Sequence, residues 1–321
     1  MNTQKITGFL RQNLLFYTLG FFILFGMKYY YSQADAENLR WILGPTARWV
    51  EALSGIPFVY APGMGYANHS LRFLIAPSCS GVQFLIVTAA MLIFSFVHAA
   101  AGIRFPGHSS LKRSSLPIRC GHHGQDLAET AGTASDADTA TSTQAADPEK
   151  TLPATGKPPH GSALARTGKG LCWILVSLLL SYLFTVFVNG LRIIAAIYLP
   201  LFFERFHVFR GFLTADRLHT MIGAVVYFAA LLTIHQFVGL LFAQAHGTDK
   251  RQAPALLLRK CLSPVFWYFS IVLGIPFLNR AYQKSGAGFT DFCLLVTLCC
   301  GSVLLLYGLV FLICRRLKGR N

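Results

Sequence analysis

Hydrophobic residues in this chain of 321 residues are gathered into long runs that are separated by polar segments. A helix needs roughly 20 mostly apolar residues to cross a bilayer, and six runs approach that length. They comprise residues 12–31, 82–101, 171–188, 218–242, 262–278 and 289–312. A short apolar stretch follows the third run, and we expect one long helix to continue through Tyr198. The pattern predicts an all-α, multi-pass transmembrane helical bundle of about six spans, or seven or eight if re-entrant or interfacial helices are included.

The polar segment between the first two runs, residues 32–80, carries a different pattern. Apolar and charged residues recur at helical spacing around Trp41 and Trp49, which is typical of an amphipathic helix lying on a membrane. Tryptophan rings also favour the depth of the lipid headgroups. Pro57 and the glycines after it end such a helix. The partial alternation over residues 70–76 indicates a short strand or extended segment.

Composition changes abruptly between the second and third runs. Residues 124–156 are mostly Ala, Thr, Ser, Gly, Asp and Pro, with no aromatic residue. Such a segment buries too little apolar surface to offset the entropy lost on ordering. Residues 102–169 are therefore predicted to form a disordered cytoplasmic insertion. The Cys and His residues within it match no closed four-ligand spacing, so neither a metal site nor a cofactor is predicted.

The overall composition narrows the functional classes. Hydrophobic residues make up 54% of the chain and charged residues only 13%, whereas a soluble domain carries about a quarter charged residues. A soluble enzyme is therefore excluded, and the lipid bilayer is an expected partner. The formal net charge of +15 would suggest nucleic acid in a soluble protein. Membrane orientation explains most of this charge, so no nucleic acid is expected to bind.

The orientation follows from where the basic residues fall, because Lys and Arg favour the cytoplasmic ends of membrane helices. With a cytoplasmic N-terminus, 18 of the 28 Lys and Arg residues lie on the inner side and the rest on the outer side. Both termini are therefore predicted to be cytoplasmic. The first run is expected to remain as an anchor. The alternative is a signal peptide cleaved near residues 32–34, although its apolar core would be unusually long.

Three polar features stand at the outer ends of predicted spans. The first is Pro77-Ser78-Cys79-Ser80-Gly81, directly before the second span. A cysteine at a helix N-terminus meets the positive end of the helix dipole, which favours the thiolate. Backbone N–H groups at Ser80 and Gly81 are expected to be accessible to an oxyanion. The alternative interpretation is a structural cysteine at the membrane interface.

The second and third features belong to the third and fourth spans. Arg192 follows Asn189 at the outer end of the third span, where a charged residue is costly and is therefore a functional candidate. His219 opens the fourth span and can act as a general base toward a thiol. Asp216 precedes it by three residues and could orient the imidazole, and Gly223 follows one turn later and allows close approach. The alternatives are an arginine that reaches the headgroups and a structural interfacial histidine.

Hydropathy and charge place Cys79, Arg192 and His219 on one face of the membrane at similar depth. A cysteine and a histidine form the thiolate–imidazole pair of cysteine acyl transfer, and a neighbouring arginine would stabilise a thiolate or an oxyanion. The chain then divides into four parts. They are N-terminal spans with the outer amphipathic region and nucleophile motif (1–101), the insertion (102–169), the catalytic Arg and His spans (170–243) and a C-terminal two-span extension (244–321).

The motifs PSCSG around Cys79, NGLRI ending after Arg192 and HxxxG from His219 resemble, in order and setting, those of the exosortase/archaeosortase family. Within that family they look most like the exosortase K subgroup. The resemblance covers roughly residues 10–101 and 171–242. It implies a membrane cysteine protease or transpeptidase in the inner membrane, with its active site at the outer (periplasmic) face.

The resemblance also implies roles and partners. Cys79 would be the nucleophile, Arg192 the thiolate or oxyanion stabiliser and His219 the general acid/base. Substrates would be membrane-anchored proteins whose C-terminal sorting signal, as in the PEP-CTERM type, comprises a motif, a hydrophobic helix and a basic cluster. The commoner family motif has a glutamate two residues before the cysteine, where this chain has Pro77, so the role of that glutamate is not carried over.

Two other classes of protein compete with this interpretation. A multi-pass transporter or channel would line a path with polar residues, but the ionisable residues of the spans are few and cluster at one boundary. A non-catalytic membrane subunit would tolerate alanine at all three positions. The outer basic residues Arg205, Arg210 and Arg217 are expected to meet lipid headgroups, or alternatively the acidic groups of a substrate.

Overall fold

The computed structural model describes residues 3–101, 160–206, 214–245, 254–279, 283 and 286–318. Its helices are α1 (Thr3–Gln33), α2 (Arg40–Ser54), α3 (Val82–Ala100), α4 (His160–Phe206), α5 (Ala215–Ala245), α6 (Pro254–Phe269), α7 (Ile275–Leu278) and α8 (Gly286–Lys318). Six stretches are long and apolar enough to cross a membrane. They are Asn13–Gln33, Pro77–Ala100, Ala165–Phe202, Asp216–Gln244, Cys261–Leu278 and Gly288–Cys314. The prediction of an all-α bundle with six spans is confirmed.

The third span belongs to a single long helix. α4 runs for 47 residues, which is roughly 70 Å at 1.5 Å per residue and more than twice the ~30 Å hydrocarbon core. Its continuation through Tyr198 is confirmed. At its other end α4 begins at His160, so residues 160–169 are helical and not part of a disordered insertion. Extending a helix that already exists costs little, and this stretch is rich in good helix formers. Residues 102–159 lie outside the described residues.

α3 is the central helix of the bundle. Within its apolar stretch 78% of the residues are buried, compared with 17–28% in the other five. α1, α4, α5 and α6 all pack against it. The N-terminal end of α3 is therefore enclosed by protein, and it is there that the chain brings Cys79 into the bundle.

The amphipathic helix α2 packs alongside α4. Its tryptophans contact that helix. Trp41 stacks on Tyr182 with ring centroids 5.7 Å apart, and Trp49 meets Phe187 in a tilted arrangement with centroids 5.6 Å apart. The indole of Trp49 fills the space where Gly190 would carry a Cβ. The buried face of α2 comprises Ile42, Leu43, Gly44, Thr46, Ala47 and Val50. The helix is amphipathic as predicted, but its apolar face meets protein because the C-terminal half of α4 offers a complementary surface.

A small antiparallel sheet connects α2 to the Cys79 segment. Gly55 ends α2 in the left-handed conformation with φ of 69°, as is common at helix C-termini. The strands are β1 (Val59–Ala61), β2 (Gly65–Asn68) and β3 (Phe73–Ile75), in the order β1-β2-β3. The extended segment predicted for residues 70–76 is thus confirmed by β3. The two antiparallel strand pairings of this sheet fix where the chain re-enters the bundle.

The C-terminal extension packs against the same central helices. α6 passes into a π-helical segment, Ser270–Gly274, and then α7. α8 lies along α5, and the two helices are joined near their first turns by an ion pair between Arg217 and Asp291 at 3.2 Å. Tyr268 packs on Phe228 of α5, with ring centroids 5.3 Å apart. The last two spans are therefore placed beside the N-terminal half of α5, where His219 lies.

Candidate active site

Cys79 closes a short 3₁₀ turn, Pro77–Cys79, between β3 and α3. The Ser80 N–H donates to the Pro77 carbonyl at 3.1 Å, and Gly81 then adopts a φ of 75° before α3 begins. That left-handed conformation favours glycine. Cys79 is thus placed just before a helix N-terminus, as predicted, and only 8% of it is exposed. The Ser80 N–H is already used within the turn, so the expectation that it is free for an oxyanion is wrong.

Asn189 of α4 holds this turn in place. Its side-chain amide donates to the Cys79 carbonyl at 2.7 Å, and Asn189 is fully buried. A Cβ at Gly81 would lie 3.0 Å from the Asn189 Cγ and 3.1 Å from the Thr185 Cγ2. Glycine therefore serves two needs at position 81, because it permits the positive φ and lets the turn lie directly against α4.

Arg192 and His219 are in direct contact. The Arg192 Nη2 lies 2.6 Å from the His219 Nε2. A guanidinium has no acceptor, so Arg192 donates and the Nε2 atom accepts, which assigns the Nδ1–H tautomer to the neutral imidazole. A Cβ at Gly223 would lie 3.2 Å from the Arg192 Nε. Gly223 thus makes room for the guanidinium on α5, in keeping with the close approach predicted there.

Tyr227 is a site residue that the sequence reasoning missed. Its hydroxyl donates to the Asn189 Oδ1 at 2.6 Å and accepts from the Arg192 Nη1 at 3.4 Å. Phe84 of α3 stacks on its ring, with centroids 4.5 Å apart and planes 9° from parallel. A signal was available, because His219, Gly223 and Tyr227 follow one another at intervals of four and therefore share a helix face.

These contacts form one hydrogen-bonded chain that joins the Cys79 turn to α4 and α5. It runs from the Cys79 carbonyl to Asn189, Tyr227, Arg192 and finally His219. In the described part of the protein the Cys79 thiol makes no hydrogen bond to His219, so the site holds no preformed ion pair between the two. The buried Arg192 Nε also has no hydrogen-bond partner among the described residues. Arg192 therefore keeps one donor free in addition to those that bind Tyr227 and His219.

Asp216 and Arg217, the charged residues near His219 in the chain, make no described hydrogen bond to the network that contains Cys79, Arg192 and His219. Asp216 is exposed in the first turn of α5, and the hydrogen bond recorded for it joins its backbone carbonyl to the Thr220 hydroxyl at 3.0 Å. The described hydrogen bond to the His219 ring comes from Arg192. Arg217 pairs with Asp291. The side chain of Arg205 and the whole of Arg210 lie outside the described residues.

Arg192 and His219 line a cleft of about 180 Å³. Its other walls come from α3, from the π-helical segment and from α8; its lining includes Gln83, Phe84, Tyr227, Tyr268, Val272, Phe292 and Val296. Gln83 also lines a neighbouring cavity of about 300 Å³ that reaches Lys28 and Asn279. Cys79 is not among the described residues that line this cleft; the lining residues nearest to it in the chain are Gln83 and Phe84, in the first turn of α3.

Loss of the Tyr227 hydroxyl should remove one of the two hydrogen bonds that hold the Arg192 guanidinium in place. In a Tyr227→Phe variant the buried Asn189 Oδ1 loses its donor, and a buried polar group left unsatisfied costs about 1–3 kcal/mol. We expect a fold that is retained, a thermal midpoint lowered by several degrees and roughly tenfold slower alkylation of Cys79 by iodoacetamide. Tyr182→Phe is the matched control, because that hydroxyl donates to the Trp41 carbonyl away from Arg192. Equal effects of both substitutions on alkylation would contradict the role of Tyr227.

The arrangement supplies the groups that acyl transfer requires: a thiol at a helix N-terminus, a neutral imidazole with a defined tautomer and a guanidinium with a free donor. Among the described residues there is no group of three His, Cys, Asp or Glu side chains that could hold a metal ion. Comparison of the chain with family models, with curated proteins and with solved structures finds no match. The function must therefore be argued from the geometry of these residues.

Proposed function

We propose that this chain is an exosortase-like membrane cysteine peptidase or transpeptidase that cleaves C-terminal sorting signals of membrane-anchored proteins. One observation carries the proposal: the 2.6 Å contact between Arg192 and His219, which Tyr227 and Asn189 connect to the Cys79 turn. The Cys79 motif lies more than a hundred residues before the other two in the sequence, yet a single network contains all three. A purely structural role for each motif would not require that convergence.

The first step is activation of the thiol. In the resting site the Arg192 Nη2–H donates a hydrogen bond to the His219 Nε2 lone pair, which is therefore not available as a base. A bound peptide carbonyl offers this guanidinium a second acceptor, and the Nε2 lone pair is released when Arg192 turns toward it. His219 then accepts the thiol proton as general base, and the Cys79 sulfur attacks the carbonyl carbon. Arg192 thereby couples activation of the nucleophile to the presence of substrate.

The second step is collapse of the tetrahedral intermediate. Its oxyanion is stabilised by the Arg192 guanidinium and by the backbone N–H of Gly81, for which the described residues provide no acceptor. The C–N bond breaks, and the His219 imidazolium gives its proton to the leaving amine. The acyl group remains on Cys79 as a thioester. Attack by water completes hydrolysis, attack by an amine completes transfer, and in either case the thiol is regenerated.

The substrate class follows from the resemblance and from the position of the site. Cys79 and His219 lie at the starts of long apolar stretches, and Arg192 lies inside the third stretch, beside His219. We place all three at one membrane boundary, where the scissile bond would be presented. A substrate anchored by a C-terminal hydrophobic helix meets that requirement, and a basic cluster after the helix would orient it by the positive-inside rule. We assign the site to the outer face of the inner membrane, with both termini in the cytoplasm.

Iodoacetamide alkylation of the full-length protein in native membranes tests the proposal. Iodoacetamide carries an amide carbonyl that can take the place of the peptide carbonyl on Arg192 and so release the His219 Nε2. We therefore expect His219→Ala to slow alkylation of Cys79, measured by mass spectrometry of the Cys79 peptide, by roughly tenfold or more, since general-base assistance contributes about 10²–10⁴ in such systems. Thr220→Ala is the control, because Thr220 is the next residue and lines the same cleft. If both variants react at the wild-type rate, His219 does not activate the thiol and the proposed function fails.

A further inference from the structure

The C-terminal extension supplies one whole wall of the catalytic cleft. Val272 of the π-helical segment and Phe292 and Val296 of α8 line the same cleft as Arg192 and His219. The exosortase-like motifs end before these residues in the sequence. The ionisable lining residues Arg192 and His219 and the apolar residues Val272, Phe292 and Val296 thus come from different parts of the chain.

This wall is held firmly in place. Phe292 and Val296 are one helical turn apart, so they face the same side of α8. The neighbouring Asp291 pairs with Arg217 of α5 at 3.2 Å, and Val296 is only 2% exposed. Deeper in the bundle, Cys299 and Cys300 of α8 are buried in the same hydrophobic cluster as Phe228 of α5. α8 and the helix that carries His219 thus form one packed unit.

The cleft continues beyond the catalytic residues. Gln83 lines both this cleft and the neighbouring cavity of about 300 Å³. Ile271 and Val272, adjacent in the π-helical segment, line the cavity and the cleft respectively. π-helical segments occur frequently at functional sites. Two spaces that meet at shared residues suit an extended chain that passes the catalytic pair, rather than a small molecule enclosed beside it.

We infer that the last two spans form the substrate-binding wall, in which Val272, Phe292 and Val296 contact an apolar side chain of the peptide next to the scissile bond. The inference rests on the proposed function and assigns its specificity to the extension. An apolar side chain is selected because the wall offers no charge to pair with an acidic or basic one. Burying an unpaired charge there would be costly.

Peptidyl chloromethyl ketones test the wall on the full-length protein in membranes. The probes differ only in the residue beside the ketone, which is leucine in one and aspartate in the other, and iodoacetamide serves as a probe too small to need the wall. We expect the leucine probe to alkylate Cys79 at least about tenfold faster than the aspartate probe. Phe292→Ala should reduce the leucine rate by about tenfold and leave the iodoacetamide rate within about twofold.

Two further variants complete the test. Val296→Phe fills the cleft and should block the leucine probe, and Phe292→Ala carries the test if that variant fails to fold. Leu294→Ala is the matched control, since Leu294 lies on the same helix and is 59% exposed. The inference is overturned if the two ketones alkylate Cys79 at equal rates, or if Phe292→Ala and Leu294→Ala lower the rate of the leucine probe equally. Either result leaves the proposed function standing as long as the reaction with iodoacetamide still depends on His219. If that dependence is itself missing, the proposed function fails and the inference fails with it.

Discussion

Replacement of Cys79 by alanine is expected to abolish cleavage of a tagged, co-expressed protein that ends in a motif, a hydrophobic helix and a basic cluster. Without the sulfur no acyl-enzyme can form, and loss of a nucleophile costs on the order of 10⁴–10⁶ in rate in comparable hydrolases. Candidate substrates are sought among small proteins encoded near this chain in its genome. The measurement is the size and amount of the processed product on immunoblots of membrane fractions.

The substitution is structurally mild, which makes this result interpretable. The contact that fixes the turn is made by the Cys79 backbone carbonyl with Asn189, and alanine retains that carbonyl. Cys172→Ala is the control, because Cys172 is an exposed free cysteine on α4, and it should process substrate at the wild-type rate. Normal cleavage by the Cys79→Ala protein would exclude a cysteine mechanism.

Replacement of Arg192 by lysine should be nearly as damaging, although the positive charge is kept. The guanidinium contacts His219 through Nη2 and Tyr227 through Nη1. A lysine ammonium is a single point charge without this fork, so it cannot hold both partners and also meet an oxyanion. We expect processing to fall by about 10²–10³, which is the usual cost of losing an oxyanion donor. Initial rates of product formation measure it.

The matched control is Arg217→Lys. Arg217 carries the same change in an exposed ion pair with Asp291, and exposed pairs contribute little, about 0–1 kcal/mol. That variant should process substrate within about twofold of wild type. If Arg192→Lys were equally harmless, Arg192 would be acting only as a membrane-boundary charge, and its assigned role in catalysis would be wrong.

The spans were predictable from sequence because hydropathy is a local property. Each candidate span can be recognised from its own run of apolar residues, as in α3 and α4. The proximity of Arg192 and His219 could also be predicted, because hydropathy and charge predicted both residues at the same membrane boundary. The hydrogen bonding of the Cys79 turn was harder to predict from sequence. Whether the Ser80 N–H is used within the turn depends on the backbone conformation of Pro77 and Gly81, which their residue types permit but do not require.

What could not be predicted is which surfaces meet. The apolar face of α2 is visible in the sequence, but nothing local says that Trp49 packs on Gly190 of α4 instead of on lipid. In the sequence Tyr227 is one aromatic residue among several in an apolar run, and it lies between Asn189 and Arg192 because α5 packs against α4. The wall of α8 opposite His219 depends on tertiary contacts far apart in the chain. Such pairings are set by shape across the whole bundle.

The central claim is that Cys79 carries the acyl group during cleavage, and detection of that thioester tests it most directly. Wild-type protein would be incubated with the tagged substrate, quenched in acid and digested, and the Cys79 peptide analysed by mass spectrometry. We expect a Cys79 peptide that bears the carboxyl end of the cleaved substrate. This adduct should be removed by hydroxylamine and be absent from Cys79→Ala. Cleavage that proceeds without the adduct, and that continues in the alanine variant, would show that Cys79 is not the nucleophile.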